Sequence, residues 1–126
     1  MELILWRHAE AADALPDLGR ELTGRGRKQA SRMADCLTPR LPQDIRILVS
    51  PATRTRQTAQ ALGREFEERP ELAPGASASE VLAAAGWPDA SYPVLIVGHQ
   101  PTLGQGERLE HLSDVLLDLG GFVAAR

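Results

Sequence analysis

Three short apolar runs punctuate an otherwise mixed chain: Leu3–Trp6, Ile45–Val49 and Val94–Val97. Each is rich in Ile, Leu or Val and too short for a helix. Their apolarity is continuous, not alternating, which predicts strands covered on both faces, as in a parallel sheet between helix layers. Gly121–Ala125 is a weaker fourth strand. Between the runs the period changes. From Gly24 to Leu41, apolar residues fall at Ala30, Met33, Ala34, Leu37 and Leu41, the stepping of one helix face. Thr23 reads as its N-cap, and Pro39 with Pro42 as its stop. Ala52, Thr55, Ala59, Leu62 and Phe66 mark a second helix, with Ser50 as N-cap and Pro51 as first helical residue. Ala78–Ala85 predicts a third helix, stopped by Gly86 and Pro88. A fourth runs from near Pro101 to about Leu119 and ends at Gly120–Gly121. Arg69–Ser79, with Pro70, Pro74 and Gly75, reads as a surface loop. Strand alternating with helix predicts an α/β fold: a three-layer α/β/α sandwich with a mostly parallel central sheet and right-handed crossovers.

Composition narrows the class. The 126 residues predict one domain over 1–126, and 43% hydrophobic with 25% charged residues is ordinary for a soluble globular protein. The single Cys excludes an internal disulfide framework and an all-Cys metal site. The formal net charge of −3 argues against nucleic acid as a partner, because non-specific binding there rests on excess Lys and Arg. No apolar run approaches the roughly 18 residues of a membrane-spanning helix. Met1–Trp6 is too short and too quickly charged for a signal peptide. A cytoplasmic protein with no membrane partner is expected. The sequence leaves its oligomeric state open.

In open α/β sheets, ligands bind beyond the carboxyl ends of the strands. After the first run come Arg7 and His8. After the second come Ser50, Pro51 and, in the first turn of the next helix, Arg54. After the third come Gly98, His99, Gln100 and Pro101. Two Arg and two His thus converge on one rim from three segments, while His111 lies apart in the predicted fourth helix. Two guanidinium forks, a helix N-terminus and two imidazoles suit a compact, doubly charged oxyanion. A metal is the poorer guest: no carboxylate or Cys falls beside the two His at usable spacing, and two Arg repel a cation. Arg54 in a first turn opposes the helix dipole, which asks for an anion to offset it. With phosphate in place, a neutral His can attack phosphorus near pH 7 while a second, protonated His stabilises the equatorial oxygens.

These residues sit in four blocks that together resemble the histidine phosphatase superfamily, the phosphoglycerate-mutase-like fold. Arg7-His8-Ala9-Glu10-Ala11 resembles its R-H-[GA]-x-A opening, and Leu22-Thr23 through Gln29-Ala30 its L-T-x-x-G-x-x-Q-A segment. Ser50-Pro51-Ala52-Thr53-Arg54-Thr55-Arg56-Gln57-Thr58-Ala59 matches S-P-x-x-R-x-x-Q-T-A, and Gly98-His99-Gln100-Pro101 matches G-H-x-P. The likeness covers about residues 1–105. The short chain and the R-H-A-E-A opening are most similar to the small SixA-type phosphohistidine phosphatases.

That resemblance implies His8 as the nucleophile that becomes a transient phosphohistidine, with Arg7, Arg54 and His99 completing the phosphate pocket. It implies hydrolysis by water, with no metal and no organic cofactor. The partner is then a phosphorylated protein of phosphorelay type. A phosphomonoesterase for a small phosphorylated metabolite is the alternative, and a catalytically inactive phosphate-binding relative a second one, against which the intact Arg7, His8, Arg54 and His99 argue. Two departures from the family stand out. First, no carboxylate is framed as the general acid; Glu71 and Glu80 lie in the right part of the chain without a motif. An imidazole leaving group, of pKa about 6.5, needs far less acid help than an alkoxide, so the gap favours P–N cleavage. Second, the C-terminal part is short, which predicts a sheet edge trimmed or completed by a partner chain. It also predicts an open pocket suited to a protein substrate. Elsewhere, Ser50 reads as a cap with no base beside it, and Cys36 as a small core residue. The cluster Arg20, Arg25, Arg27, Lys28 and Arg32 reads as a solvated face, or as a steering patch if it flanks the pocket.

Overall fold

A computed structural model describes residues 2–99 and, as backbone, 115–118 and 122–125. The three apolar runs are strands: β1 (Leu3–Arg7), β2 (Arg46–Val49) and β4 (Val94–Gly98). β4 lies between the other two and is parallel to both, pairing Leu3 with Val94 on one side and Arg46 with Val94 on the other. A two-residue strand, β3 (Glu67–Glu68), adds in parallel to β2. On the far side, β6 (Phe122–Ala125) runs antiparallel to β1, and β5 (Val115–Asp118) antiparallel to β6. The sheet order is β3-β2-β4-β1-β6-β5.

Side chains alternate across this sheet, so the continuous apolar runs feed two cores. Ile4, Trp6, Ile47, Val49, Leu95 and Val97 face α1 (Gly24–Leu37) and α2 (Thr53–Gln60) through Ala34, Leu37 and Ala59. Leu3, Leu5, Leu48, Val94 and Ile96 face the other way, onto Val81 and Ala85 of α3 (Ala78–Ala85). The architecture is the α/β, three-layer arrangement, with two antiparallel strands at one edge.

Several boundaries differ from the sequence reading, each for a local reason. α1 stops at Leu37 and tightens into a 3-10 turn, Thr38–Arg40, where Pro39 has no N–H to continue the ladder. α2 ends at Gln60, because Gly63 adopts a left-handed φ of 66° and turns the chain away. Leu62 and Phe66 still reach the core, but from irregular backbone, so their helical spacing misled. Within Arg69–Ser79, a 3-10 turn at Pro70–Leu72 buries Leu72 in the second core, so the segment is packed and not a loose loop. Cys36 is exposed, a correction to its expected core position, because the buried face of α1 is Gly26, Ala30, Ala34 and Leu37.

The fourth helix predicted over 101–119 is overturned at its end, where Val115–Asp118 pairs with β6 as a strand. The rest of that prediction lies outside the described residues. Beyond β1 the sheet is extended by β6 and β5 of this same chain.

One close approach matters for the site. A Cβ added at Gly26 would run into the backbone carbonyl of Glu10, whereas one at Gly24 meets nothing. Gly26→Ala should therefore cost about 1–3 kcal/mol, the range for overpacking, and Gly24→Ala less than about 0.5 kcal/mol. Urea denaturation of the two variants checks this; equal losses would show that the Gly26–Glu10 approach does not limit packing.

Candidate active site

The site is assembled by strand ends. His8 follows β1 and its N–H donates to the Gly98 carbonyl at 3.0 Å; Ser50 follows β2 and donates to Val97 at 3.1 Å. Since β4 lies between β1 and β2, His99 emerges between His8 and Ser50. The two imidazoles meet edge to face, with centroids 5.4 Å apart and planes 61° apart.

The loop after β1 is fixed by side chains from both neighbouring helices. The Ala9 N–H donates to Thr58 Oγ1 at 3.1 Å, Glu10 N–H to Gln29 Oε1 at 3.1 Å, and Leu22 N–H to Gln57 Oε1 at 2.8 Å. Thr23 caps α1 by accepting from Gly26 N–H, and its hydroxyl donates to Glu10 Oε1 at 2.9 Å. The polar positions of the two central sequence blocks are thus the anchors of the loop that carries His8.

His8 is held in one tautomer. Its Nδ1 lies 2.7 Å from the Ala9 carbonyl, which can only accept, so Nδ1 carries the hydrogen and Nε2 keeps its lone pair. Burial pushes its pKa below the ordinary 6.5; the bond to Ala9 resists, and the charges of Arg54, Arg20 and Arg7 lower it further.

His99 is 4% exposed and its pKa falls to about 4, chiefly through burial, then through Arg54 and His8, against the opposing charge of Asp17. Among the protein's own groups it is therefore neutral near pH 7; the protonated partner expected from sequence belongs to the phosphate-bound site, where a dianion favours the charged form. Its Nε2 lies 2.6 Å from Ser50 Oγ, which also accepts the Ala52 N–H at 3.3 Å; its Nδ1 is buried without a partner among the described residues. Ser50 consequently does not cap α2, whose cap position is Ala52, and it has an imidazole beside it after all. No local pattern signals this pairing, because 49 residues separate the two.

Arg54, in the first turn of α2, is 4% exposed. Its Nη1 donates to the Asp17 carbonyl at 2.8 Å and its Nη2 to Asp17 Oδ2 at 3.2 Å, while Nε is buried with no partner among the described residues. Asp17 sits in a 3-10 turn, Asp17–Gly19, and was not singled out from sequence: it lies in a polar loop without periodicity. Hydrogen bonding from Arg54, with Arg20 behind it, holds its carboxyl below the usual carboxylate range.

Arg7 is exposed at the end of β1 and, with His8, lines a cavity of about 270 Å³ that reaches Gln29 and Arg32 on α1. Glu71 and Glu80 do not join this group. Glu80 closes the capping box of α3 with Ser77, and those bonds hold its carboxyl below the usual range. Glu71 pairs with Arg69 at 3.8 Å, and neither carboxylate bonds to His8, Arg54 or His99. Gln100, Pro101 and His111 lie outside the described residues. Among the described residues, no cluster of three or more His, Cys, Asp or Glu is placed to hold a metal ion, and no helix is long and apolar enough to cross a membrane.

A mostly parallel α/β sheet with two imidazoles and a buried guanidinium at its strand ends has the phosphoglycerate-mutase-like fold. The chain belongs to the histidine phosphatase superfamily (branch 1), whose family model matches residues 3–78. It is 33% identical over 113 residues to the phosphohistidine phosphatase SixA of Escherichia coli strain K12, covering 82% of this chain and 70% of that one. A protein histidine phosphatase SixA solved with tungstate shares 31% identity at a TM-score of 0.67, over 82% of this chain and 72% of that one. A candidate SixA from Nakamurella multipartitia shares 39% identity at a TM-score of 0.70, over 80% of this chain; the chain spans 60% of that protein's length.

The neutral, buried His99 couples folding to pH. The unfolded chain takes up this proton near the ordinary 6.5 and the folded chain only near 4, so stability present above 6.5 is lost as pH falls between those values. His8 acts in the same direction. The melting temperature should decline across that window, and His99→Gln should make the decline shallower. Parallel curves for the two proteins would overturn the assignment.

Proposed function

We propose that this protein is a phosphohistidine phosphatase in which His8 carries the phosphoryl group transiently. One observation supports the reading: the His99 ring packs edge to face on His8, the charge of Arg54 acts on His8, and two buried nitrogens of these neighbours, Arg54 Nε and His99 Nδ1, have no partner among the described residues. Unpaired buried polar groups are rare and cost about 1–3 kcal/mol each, so such a pair points to a guest that accepts from both. A tetrahedral phosphoryl group has the oxygens to do so.

In this mechanism the substrate's phosphorylated ring reacts with its other nitrogen already protonated. Nε2 of His8 attacks phosphorus, the P–N bond breaks, and the ring leaves with that electron pair as neutral imidazole, so no proton donor is required. Water then attacks the phosphorus of phospho-His8, releasing inorganic phosphate and restoring the imidazole. Arg54 Nε and His99 Nδ1–H stabilise the equatorial oxygens; for His99 this tautomer requires Ser50 to donate its hydroxyl proton to Nε2. Arg7 adds charge at the mouth of the pocket. The bond from Nδ1 of His8 to Ala9 supports the charge that develops on the ring as Nε2 is phosphorylated.

Phosphohistidine is favoured over an ester by the leaving group. Glu71 and Glu80 are tied up elsewhere and Asp17 is held ionised by Arg54, so none is poised to protonate an alkoxide. A leaving imidazole does not need one. Family membership and the similarity to SixA proteins support phosphatase chemistry of this kind on a phosphorylated protein. Phosphate release from a phosphohistidine peptide, a phosphoserine peptide and a small aryl phosphate tests it. The first should be preferred, and His8→Ala should lower its turnover about a thousandfold or more. Preference for either ester would replace this reading with a phosphomonoesterase.

A further inference from the structure

We propose that a basic groove leading away from His8 along the outer face of α1 docks an acidic segment flanking the phosphorylated residue of a protein substrate. The inference rests on the phosphatase reading and assigns that site its substrate preference. Three adjoining concavities form the groove. Two, of about 270 and 260 Å³, both contain Arg7, His8 and Gln29. The third, of about 400 Å³, is bounded by Arg25, Lys28, Gln29 and Arg32, and shares Gln29 and Arg32 with the first. Arg25, Lys28 and Arg32 recur at helical spacing, so they share one face of α1, and Arg32 lines the same cavity as Arg7.

Ion pairing sorts the cations of this region. Arg20 is engaged by Asp13 and Asp17, Arg27 by Glu21, and Arg25 more loosely by Glu10 at 3.9 Å. Among the described residues, Arg7, Lys28 and Arg32 have no carboxylate within ion-pair distance. The acidic groups nearby are Glu10 at the lip and Asp35, three residues beyond Arg32. On a chain of net charge −3, the unpaired Arg7, Lys28 and Arg32, grouped around the pocket of His8, are a local reversal of sign. Such a reversal concentrates and orients an oppositely charged partner. An acidic polypeptide fits better than nucleic acid, because Trp6, the aromatic residue lining the groove, is buried and offers bases no stacking platform.

The test uses two phosphohistidine peptides that differ only in flanking Asp and Glu against Asn and Gln, with phosphoramidate as a small substrate. Wild-type protein should favour the acidic peptide about tenfold in kcat/KM at low salt, and less at 0.2 M, where exposed charges are screened. Lys28→Glu combined with Arg32→Glu should abolish or invert that preference, while phosphoramidate turnover stays within about twofold; Lys28→Gln with Arg32→Gln should fall between. A preference retained by the double variant, or an equal loss on phosphoramidate, overturns the groove. So does an oligonucleotide that inhibits wild type through these two residues in the absence of any acidic-peptide preference. If only phosphoesters are cleaved, the phosphohistidine reading fails alone, and the same comparison on flanked phosphoserine peptides decides the groove.

Discussion

Placing a guanidinium at 4% exposure beside two imidazoles is the constraint around which the site is organised. A buried cation is tolerated only when paired, and Asp17 supplies both its carboxylate and its carbonyl to Arg54. The same positive charge helps keep His8 and His99 unprotonated, reinforcing what burial does to each. A single ion pair therefore influences the protonation of both rings. It also ties the Asp17 turn to α2, so the loop after β1 is not free to drift from the strand ends.

That loop explains why the sequence blocks are spaced as they are. Gln29, Gln57 and Thr58 each satisfy a backbone N–H of residues 9–22 from a different helical position. Gly26 lets the backbone of α1 pass close beneath Glu10. A residue that looks like a helix-surface amide in the sequence is, in three dimensions, a substitute for the hydrogen bonds that an irregular loop cannot make to itself.

His8, Arg54 and His99 were legible as one cluster because each follows an apolar run, directly or in the first turn of the next helix, and parallel strands bring such positions to a common rim. Asp17 was not, because it lies in a polar loop without a period and its partner is 37 residues away; Ser50 was placed on the rim, but its pairing with His99, 49 residues on, has no local signal. The central strands and the N-terminus of α1 were equally plain, since local pattern and tertiary burial agree there. Where they disagree, the pattern failed. Phe66 keeps helical spacing with α2 although Gly63 has already turned the chain, and the apolar residues of Val115–Asp118 serve sheet pairing, not a helix face. Cys36 was misjudged by one position around α1, enough to move a side chain from core to surface.

That last displacement has a practical side. The chain's one thiol lies exposed on the helix that borders the pocket, one turn beyond Arg32. A thiol-directed fluorophore or spin label would attach at a single defined position without any engineered cysteine. It would report on events at the outer surface of α1 from a residue that takes no part in the chemistry at His8.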